Sequence, residues 1–369
     1  MTNHEQFNPD WISPPGDTID ELLEELGWRQ TDLAKRMDVT APFVNDLVKG
    51  RVPISTQIAE RLSRVLGSTP NFWLVRDAQY QAGLARKDAI EAARKDAGWL
   101  KELPLPWMRK LGLIRNIREK GEQVLDSLRF FCVASVDAWR EQYQTPVAAF
   151  RASDKFQKNV GAVAAWLREG ERRANNIPCE PFNKQAFRDA LRELRALTNE
   201  SDPDVFIVRM TEVCAACGVA VVFLETPPGC PASGATRWLA PAKAMLLLSL
   251  RYNSNDHVWF TFFHEAAHLL LHGKKLLFIE GLGGLDNESE RQADVYASNI
   301  LIKPADANRL HGLAARQFRS KDDVRSFATG IGIAPGIVVG RMQKEGWLDW
   351  SFMNNLKVYY EWSSAKSVT

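Results

Sequence analysis

Between residues 264 and 268 the chain reads His-Glu-Ala-Ala-His, and this spacing restricts both the local structure and its chemistry. Residues four apart lie one turn above each other on a helix, so two imidazoles in this register reach a single metal ion. The glutamate after the first histidine points toward the same cleft, where its carboxylate can take a proton from a water at the ion. The flanking sequence suits a helix. Asp256 is placed to cap it, and Phe260, Phe263, Ala267 and Leu271 supply an apolar side. A third ligand is required, and His272 fails on geometry. It lies eight residues from His264, about 12 Å along one helix, too far for two bonds of about 2 Å to one ion. It is expected to be a helix-terminal side chain.

The third ligand is expected from the segment Asn287 to Pro304, NESERQADVYASNILIKP. Asn287 can cap a helix on which Glu290 and Asp294 share a face, four apart. Glu290 would complete a His/His/Glu set, and Asp294 could accept the remaining N–H of a ligating histidine and fix its ring. Glu288, two residues earlier, is the rival ligand, and both acids also suit a helix's first turn simply through the dipole. The zinc ion is the expected cofactor, with Mn²⁺ as the alternative.

A second constellation lies near the N-terminus. In Thr31 to Lys49, TDLAKRMDVTAPFVNDLVK, Leu33, Ala34 and Met37 share one helical face and Val44, Leu47 and Val48 another. Between them Asp38-Val39 forms a short turn closed by Thr40, a good cap, with proline tolerated in the first turn that follows. Gly50 is placed to stop the second helix. Ser55 can cap the next, with Ile58, Leu62 and Val65 inward, and Thr69-Pro70 starts another with Phe72, Trp73 and Val75 available for packing. Two short helices across a tight turn present the second helix to a major groove. From Arg29 to Arg76 eight bases (Arg29, Lys35, Arg36, Lys49, Arg51, Arg61, Arg64, Arg76) face four acids. Such a surplus serves phosphate contacts, with Lys49 and Arg51 among them. Base reading falls to Thr40, Ala41 and Asn45, whose amide can pair with adenine, and Asp46 beside them.

These readings place a mainly α chain with a small α+β domain. Residues 1–85 form a helix-turn-helix domain and 86–205 a helical connector whose Trp107, Phe130, Phe131, Trp139 and Trp166 are expected to be hidden in packed helices. Residues 206–304 form the metal-binding domain, and 305–369 a C-terminal helical segment. Strands are expected at VAVVFLE, ATRWLA and AMLLLSLR between Val219 and Arg251. In the last segment FATGIGIAPGIVVGRMQ repeats the N-terminal spacing, Ala328, Ile331, Gly332 and Ile333 echoing Ala34, Met37, Asp38 and Val39. Its second helix offers Gly336, Ile337, Val338 and Val339 where a DNA reader needs polar groups, so packing or protein contact is expected there. Net charge is +2 over 369 residues, so the whole chain is neither strongly basic nor acidic. The polar, proline-rich start is unlike a secretion signal, no run of about 18 apolar residues occurs, and five irregularly spaced cysteines suit a reducing compartment. A cytoplasmic protein with no membrane association is expected. Cys214-x-x-Cys217 lacks a second pair and reads as a buried helix end stopped by Gly218.

Two resemblances extend this reading. Residues 15 to 80, including Gln30 at the start of the first motif helix and the tail TPNFWL, resemble the Xre (Cro/repressor-type) domain, specifically that of HigA-type antitoxins. That resemblance implies duplex DNA as a partner, bound by a homodimer, and adds Gln30 to the candidate DNA contacts. The stretches SGATRWLAP, SLRYNSNDHVWFTFFHEAAHLLLHGKK and ERQADVYASNILIKP are similar to the ImmA/IrrE metallopeptidase family. The resemblance implies a minimal thermolysin-like zinc-peptidase core with a short sheet, in which an edge strand, AMLLLSLR or its neighbour, borders the cleft. It maps the family pattern E-x-x-A-[ND] onto Glu290 as ligand and Asp294 behind it, with His264 and His268 as ligands and Glu265 as the catalytic base. Tyr296, Arg237 and His311 are candidates for the group that stabilises an oxyanion. Members of that family cleave or inactivate a repressor, so a bacterial regulator acting on a protein substrate, repressor or toxin partner is expected. The competing reading is an antitoxin or repressor whose zinc module is a sensor or docking surface without turnover.

Overall fold

The computed structural model describes residues 12–144, 160–273, 277–280, 287–315 and 320–362. The first eleven residues of the proline-rich start, and residues 145–159 of the expected helical connector, lie outside these. The chain divides into two compact units, one of Met1–Ala97 with Ile117–Leu125 and one of Gly98–Asn116 with Asp126–Thr369.

The first unit is helical: α1 (Pro15–Leu26), α2 (Gln30–Met37), α3 (Ala41–Val48), α4 (Thr56–Leu66) and α5 (Pro70–Ala93). Side-chain caps start three of these. Thr40 Oγ1 accepts from Phe43 N at 3.3 Å, Ser55 Oγ from Ile58 N at 3.3 Å and Thr69 Oγ1 from Phe72 N at 3.1 Å. Gly50, at φ +64°, follows the end of α3. Ile19, Leu33, Met37, Val44, Leu62 and Trp73 fill the core, and Gly16 is needed where α1 meets the end of α3, since a Cβ there would fall 1.7 Å from Val48 O. Two inward assignments shift. Ala59 joins Leu62 in the core while Ile58 and Val65 are only partly buried, and Phe72 and Val75 are exposed beside the buried Trp73. Helix α5 is unbroken past residue 85, where the sequence suggests the domain ends, and the segment Ile117–Leu125 belongs with it through Arg86–Glu122 and Arg94–Glu119 ion pairs.

The second unit is built on a four-stranded mixed sheet in the order β1-β3-β2-β4. β1 (Val219–Phe223) pairs parallel with β3 (Lys243–Leu248), which pairs antiparallel with β2 (Gly234–Ala240), itself antiparallel to β4 (Phe278–Glu280). AMLLLSLR therefore forms an interior strand, and the edges are β1 and β4. The expected edge role of that stretch is corrected by its continuous apolar run, which suits burial on both sides. Ahead of the sheet come α6 (Leu105–Lys110), α7 (Lys120–Phe131, shared with the first unit), α8 (Val136–Trp139), α9 (Val160–Asn176), α10 (Lys184–Leu194) and α11 (Pro203–Ala215). Trp107, Phe130, Phe131, Trp139 and Trp166 are all buried there. After it come α12 (Asn255–Leu271), α13 (Asn287–Leu301), α14 (Pro304–Ala315), α15 (Lys321–Ile331) and α16 (Pro335–Lys344). Helix α9 lies on one face of the sheet, where Gly170 approaches Leu247, and α12 on the other, where Gly234 and Thr236 meet Glu265.

Helix α12 is buried almost all round, between the sheet, α13 and α16. Phe263 and Ala267 belong to its core, as do Trp259, Phe262 and Ala266, whereas Leu271 is exposed. Asp256 does not cap the helix. It stands inside the first turn after Ser254, and Lys357 Nζ reaches its carboxylate at 2.7 Å with both side chains buried. Helix α16 can press on this turn because it carries glycines: a Cβ at Gly336 would lie 2.4 Å from Asn255 Oδ1 and one at Gly340 2.4 Å from Asp256 Oδ2. Cys214 and Cys217 are core residues whose thiols burial pushes up, with Gly218 at φ +87° ending the segment. Among the described residues no helix is long and apolar enough to cross a membrane.

Candidate metal centre and helix-turn-helix

Register on two helices brings the candidate ligands together. His264 and His268 stand one turn apart on α12, and Glu290, in the first turn of α13, reaches across to both. His264 Nε2 is 3.1 Å from His268 Nε2 and 3.1 Å from Glu290 Oε2, and His268 Nε2 is 3.7 Å from Glu290 Oε1. The three residues offer donor atoms all within 4.8 Å of one another. A tetrahedral ion about 2.0–2.1 Å from each donor requires donors about 3.3–3.4 Å apart, so the set fits zinc.

The surrounding hydrogen bonds set the protonation this requires. Asp294 Oδ1 lies 2.9 Å from His264 Nδ1, so that nitrogen carries the proton and Nε2 presents its lone pair toward Glu290 and His268. Lone pairs of an imidazole and a carboxylate converging at this distance repel unless a cation lies between them. Burial, then the neighbouring His264 and His272 rings, push the His268 pKa down to about 2, which keeps that ring in the neutral, ligating form. The Phe278 ring stacks on His268 with centroids 3.9 Å apart and fixes its plane. His272 caps the end of α12. Its Nδ1 is 3.0 Å from His268 Nδ1, and its Nε2 3.3 Å from Gln292 Oε1. It thus supports His268 from behind, outside the three-donor cluster. Glu288 is turned to Arg291, at 2.6 and 2.8 Å.

Glu265 is fully buried against the start of β2. The Thr236 hydroxyl hydrogen-bonds its carboxylate and also lies 3.1 Å from its main-chain carbonyl. Gly234, two residues earlier on the same strand face, leaves room for the side chain, since a Cβ there would come within 2.7 Å of Glu265 Cγ and Thr261 Cγ2. Thr236, Gly234, Phe278 and Gln292 escape the sequence reading. The first two were within reach, because GATRWLA alternates them onto one face. Of the three oxyanion candidates, Arg237 is ion-paired with Glu171, His311 packs on Trp347 at 5.0 Å, and Tyr296 lines a basic pocket with Arg188 and Arg192.

In the first unit the chain turns between α2 and α3 through Asp38, at φ 54° and ψ 54°, with Val39 N donating to Ala34 O at 3.0 Å. Thr40, Ala41, Lys49 and Arg51 are exposed along α3 and just beyond it, and Asn45 is half-buried. Gln30 donates from its amide to Asp20 Oδ1 at 3.2 Å, and Arg51 pairs with Asp46 at 3.4 Å. Two of the eight bases hold the fold. Arg61 donates to Met37 O and Asp38 O, both at 2.9 Å, and Arg76 to Ser13 O at 2.8 Å.

This geometry defines an Xre-type helix-turn-helix domain, and the sequence model of the helix-turn-helix family matches residues 19–73. Through this region the chain belongs to that family. It is similar to the uncharacterized HTH-type transcriptional regulator YddM of Escherichia coli (strain K12), 35% identical over 60 residues, which are 16% of this chain and 64% of that protein. It is also similar to virulence-associated protein A' of Dichelobacter nodosus, 32% identical over 81 residues, 22% of this chain and 70% of that protein.

Proposed function

We propose that the chain is a DNA-binding transcriptional regulator, antitoxin- or repressor-like, whose second unit is a zinc-dependent endopeptidase acting on a protein such as a repressor. The DNA half rests on the helix-turn-helix family and on the exposed Thr40 and Ala41 and half-buried Asn45 of α3, which would enter a major groove while Lys49 and Arg51 would meet phosphates. The observation that carries the peptidase half is the convergence of His264, His268 and Glu290 beside a buried Glu265.

In that reading His264 Nε2, His268 Nε2 and the Glu290 carboxylate would hold Zn²⁺, or Mn²⁺ in its place. When bound, such an ion acidifies water and polarises a peptide carbonyl. Glu265, positioned by Thr236, takes the water's proton onto its carboxylate and passes it to the leaving amine. Asp294 keeps the His264 ring in the ligating tautomer. Among the described residues β2 pairs with β4 over Gly234 to Thr236, and an extended substrate would be aligned along this side of the sheet. A buried carboxylate held by Thr236 next to the three candidate ligands, and outside their set, suits a proton-transferring role better than a purely structural metal site.

The test is metal analysis of the full chain, then mass spectrometry of the chain and of neighbouring gene products after incubation with Zn²⁺. Cleavage by wild type, lost in Glu265→Gln with zinc retained, supports the reading. Zinc bound at one equivalent with no cleavage refutes the endopeptidase half and leaves a sensor or docking module. The DNA half is tested separately by a salt-sensitive mobility shift on the chain's own promoter DNA.

A further inference from the structure

A second concavity lies beside α13, lined by residues that are not among the three candidate metal ligands. Its wall carries five bases, Arg188, Arg192, Arg195, Arg291 and Lys303, and, among the described residues, no acid. Arg192 pairs with Asp189 at 2.7 Å and Arg291 with Glu288 at 2.6 Å. Arg188, Arg195 and Lys303 have no ion pair among the described residues. Arg195 is also pinned, donating to Leu301 O at 2.9 Å and Ile331 O at 2.7 Å, so its charge is held in place before any ligand arrives. Like charges gathered in one concavity repel, and a bound anion relieves that repulsion. The other part of the wall is apolar: the half-buried Tyr296 ring, Ile300, and the side chains of Leu271 and Val295, which are 45% and 47% exposed. The cavity encloses about 730 Å³, within the usual range of small-molecule sites.

We propose that this pocket binds a soluble organic polyanion of the nucleoside polyphosphate class, its charged end on the arginines and Lys303 and its planar end against Tyr296 and Val295. An inorganic anion would use only the bases. An acidic polypeptide would spread its charge along a groove, whereas here the bases surround one hollow beside an apolar wall. Guanidinium groups are suited to this role because their planar forks match phosphate oxygens bidentately. The pocket shares Gln292 with the hydrogen-bonded chain through His272 to His268, so its occupant touches the support of the candidate metal centre. The binding itself does not depend on peptidase activity.

The test is isothermal titration calorimetry of the full chain with ATP, inorganic tripolyphosphate, adenosine and an octa-aspartate peptide, in chelator at fixed salt. The expected result is one ATP site, at least about tenfold tighter than tripolyphosphate, with no binding of adenosine. Arg188→Gln and Lys303→Gln should each weaken ATP by about tenfold, while Lys87→Gln, at an exposed position of α5, leaves it unchanged. Both substitutions are at accessible side chains, and an unchanged melting temperature checks that the fold survives. No ATP binding, equal affinity for tripolyphosphate, binding of the peptide alone, or indifference to both substitutions would overturn the proposal.

Discussion

Asp294→Ala isolates the support of the candidate metal centre from its ligands. The carboxylate touches no proposed ion. It acts by accepting from His264 Nδ1 at 2.9 Å, which fixes the tautomer and the ring plane. Losing such an outer carboxylate costs about 10–100-fold in metal affinity. The Asp294 side chain is 48% exposed, so water can take over part of its role, and the effect belongs at the lower end, about tenfold or ~1.4 kcal/mol. Asp294→Asn keeps an acceptor but loses the charge, and should fall between, at a few-fold. Zinc affinity is read by competition against a chromophoric chelator, with stoichiometry from atomic spectroscopy and melting of the metal-free forms as a control. Wild-type affinity in both variants would refute the supporting role. A melting temperature lowered without metal would show instead that Asp294 stabilises the fold.

Gly234→Ala places a Cβ within 2.7 Å of Glu265 Cγ. It should cost about 1–3 kcal/mol in stability and lower hydrolysis while zinc stoichiometry stays at wild type. Lys357→Met leaves the buried Asp256 carboxylate without its ammonium partner and should cost about 3–5 kcal/mol in chemical denaturation, much of it recovered in Lys357→Met with Asp256→Asn. Arg51→Ala should weaken binding to every duplex sequence and flatten the log–log salt slope by about 0.9. Asn45→Ala should relax the choice of one base, measured on a panel of single-substitution operators.

What could be read in the sequence was what repeats at fixed spacing. His264 and His268 one turn apart, Glu290 and Asp294 one turn apart, and caps at Thr40, Ser55 and Thr69 each follow from helical periodicity, and the structure brings the first four side chains together. What stayed hidden depends on contacts between segments distant in sequence. Strand β4 is three residues long, too short to show alternation, yet it supplies the Phe278 ring over His268. Asp256 looked like a cap because an acid before a helical run commonly is one, and the competing partner, Lys357, is about a hundred residues away. His272 could be excluded as a ligand by distance along a helix, but its contact with His268 Nδ1 requires knowing where α12 ends.

The two helix-turn-helix segments show how far local chemistry goes. Their turns are the same device: Asp38 at φ 54° and Gly332 at φ 70°, each followed by a residue donating back to the alanine five before it, Val39 to Ala34 and Ile333 to Ala328. Capping and αL geometry therefore specify the motif in both places. They do not specify its use, which follows from what the second helix carries. On α3 the leading positions Thr40 and Ala41 stay exposed and Asn45 half so, leaving polar groups for a partner. On α16 Gly336, Ile337, Val338 and Val339 are buried, and the two glycines bring the backbone onto Asn255 and Asp256 of the helix bearing the histidines. A side chain at Gly336 or Gly340 would lift α16 off that turn, so these glycines tie the C-terminal motif to the scaffold of the candidate metal centre. The same turn thus leaves polar groups exposed in one unit and packs into a core in the other, and the difference lies in the leading residues of the second helix.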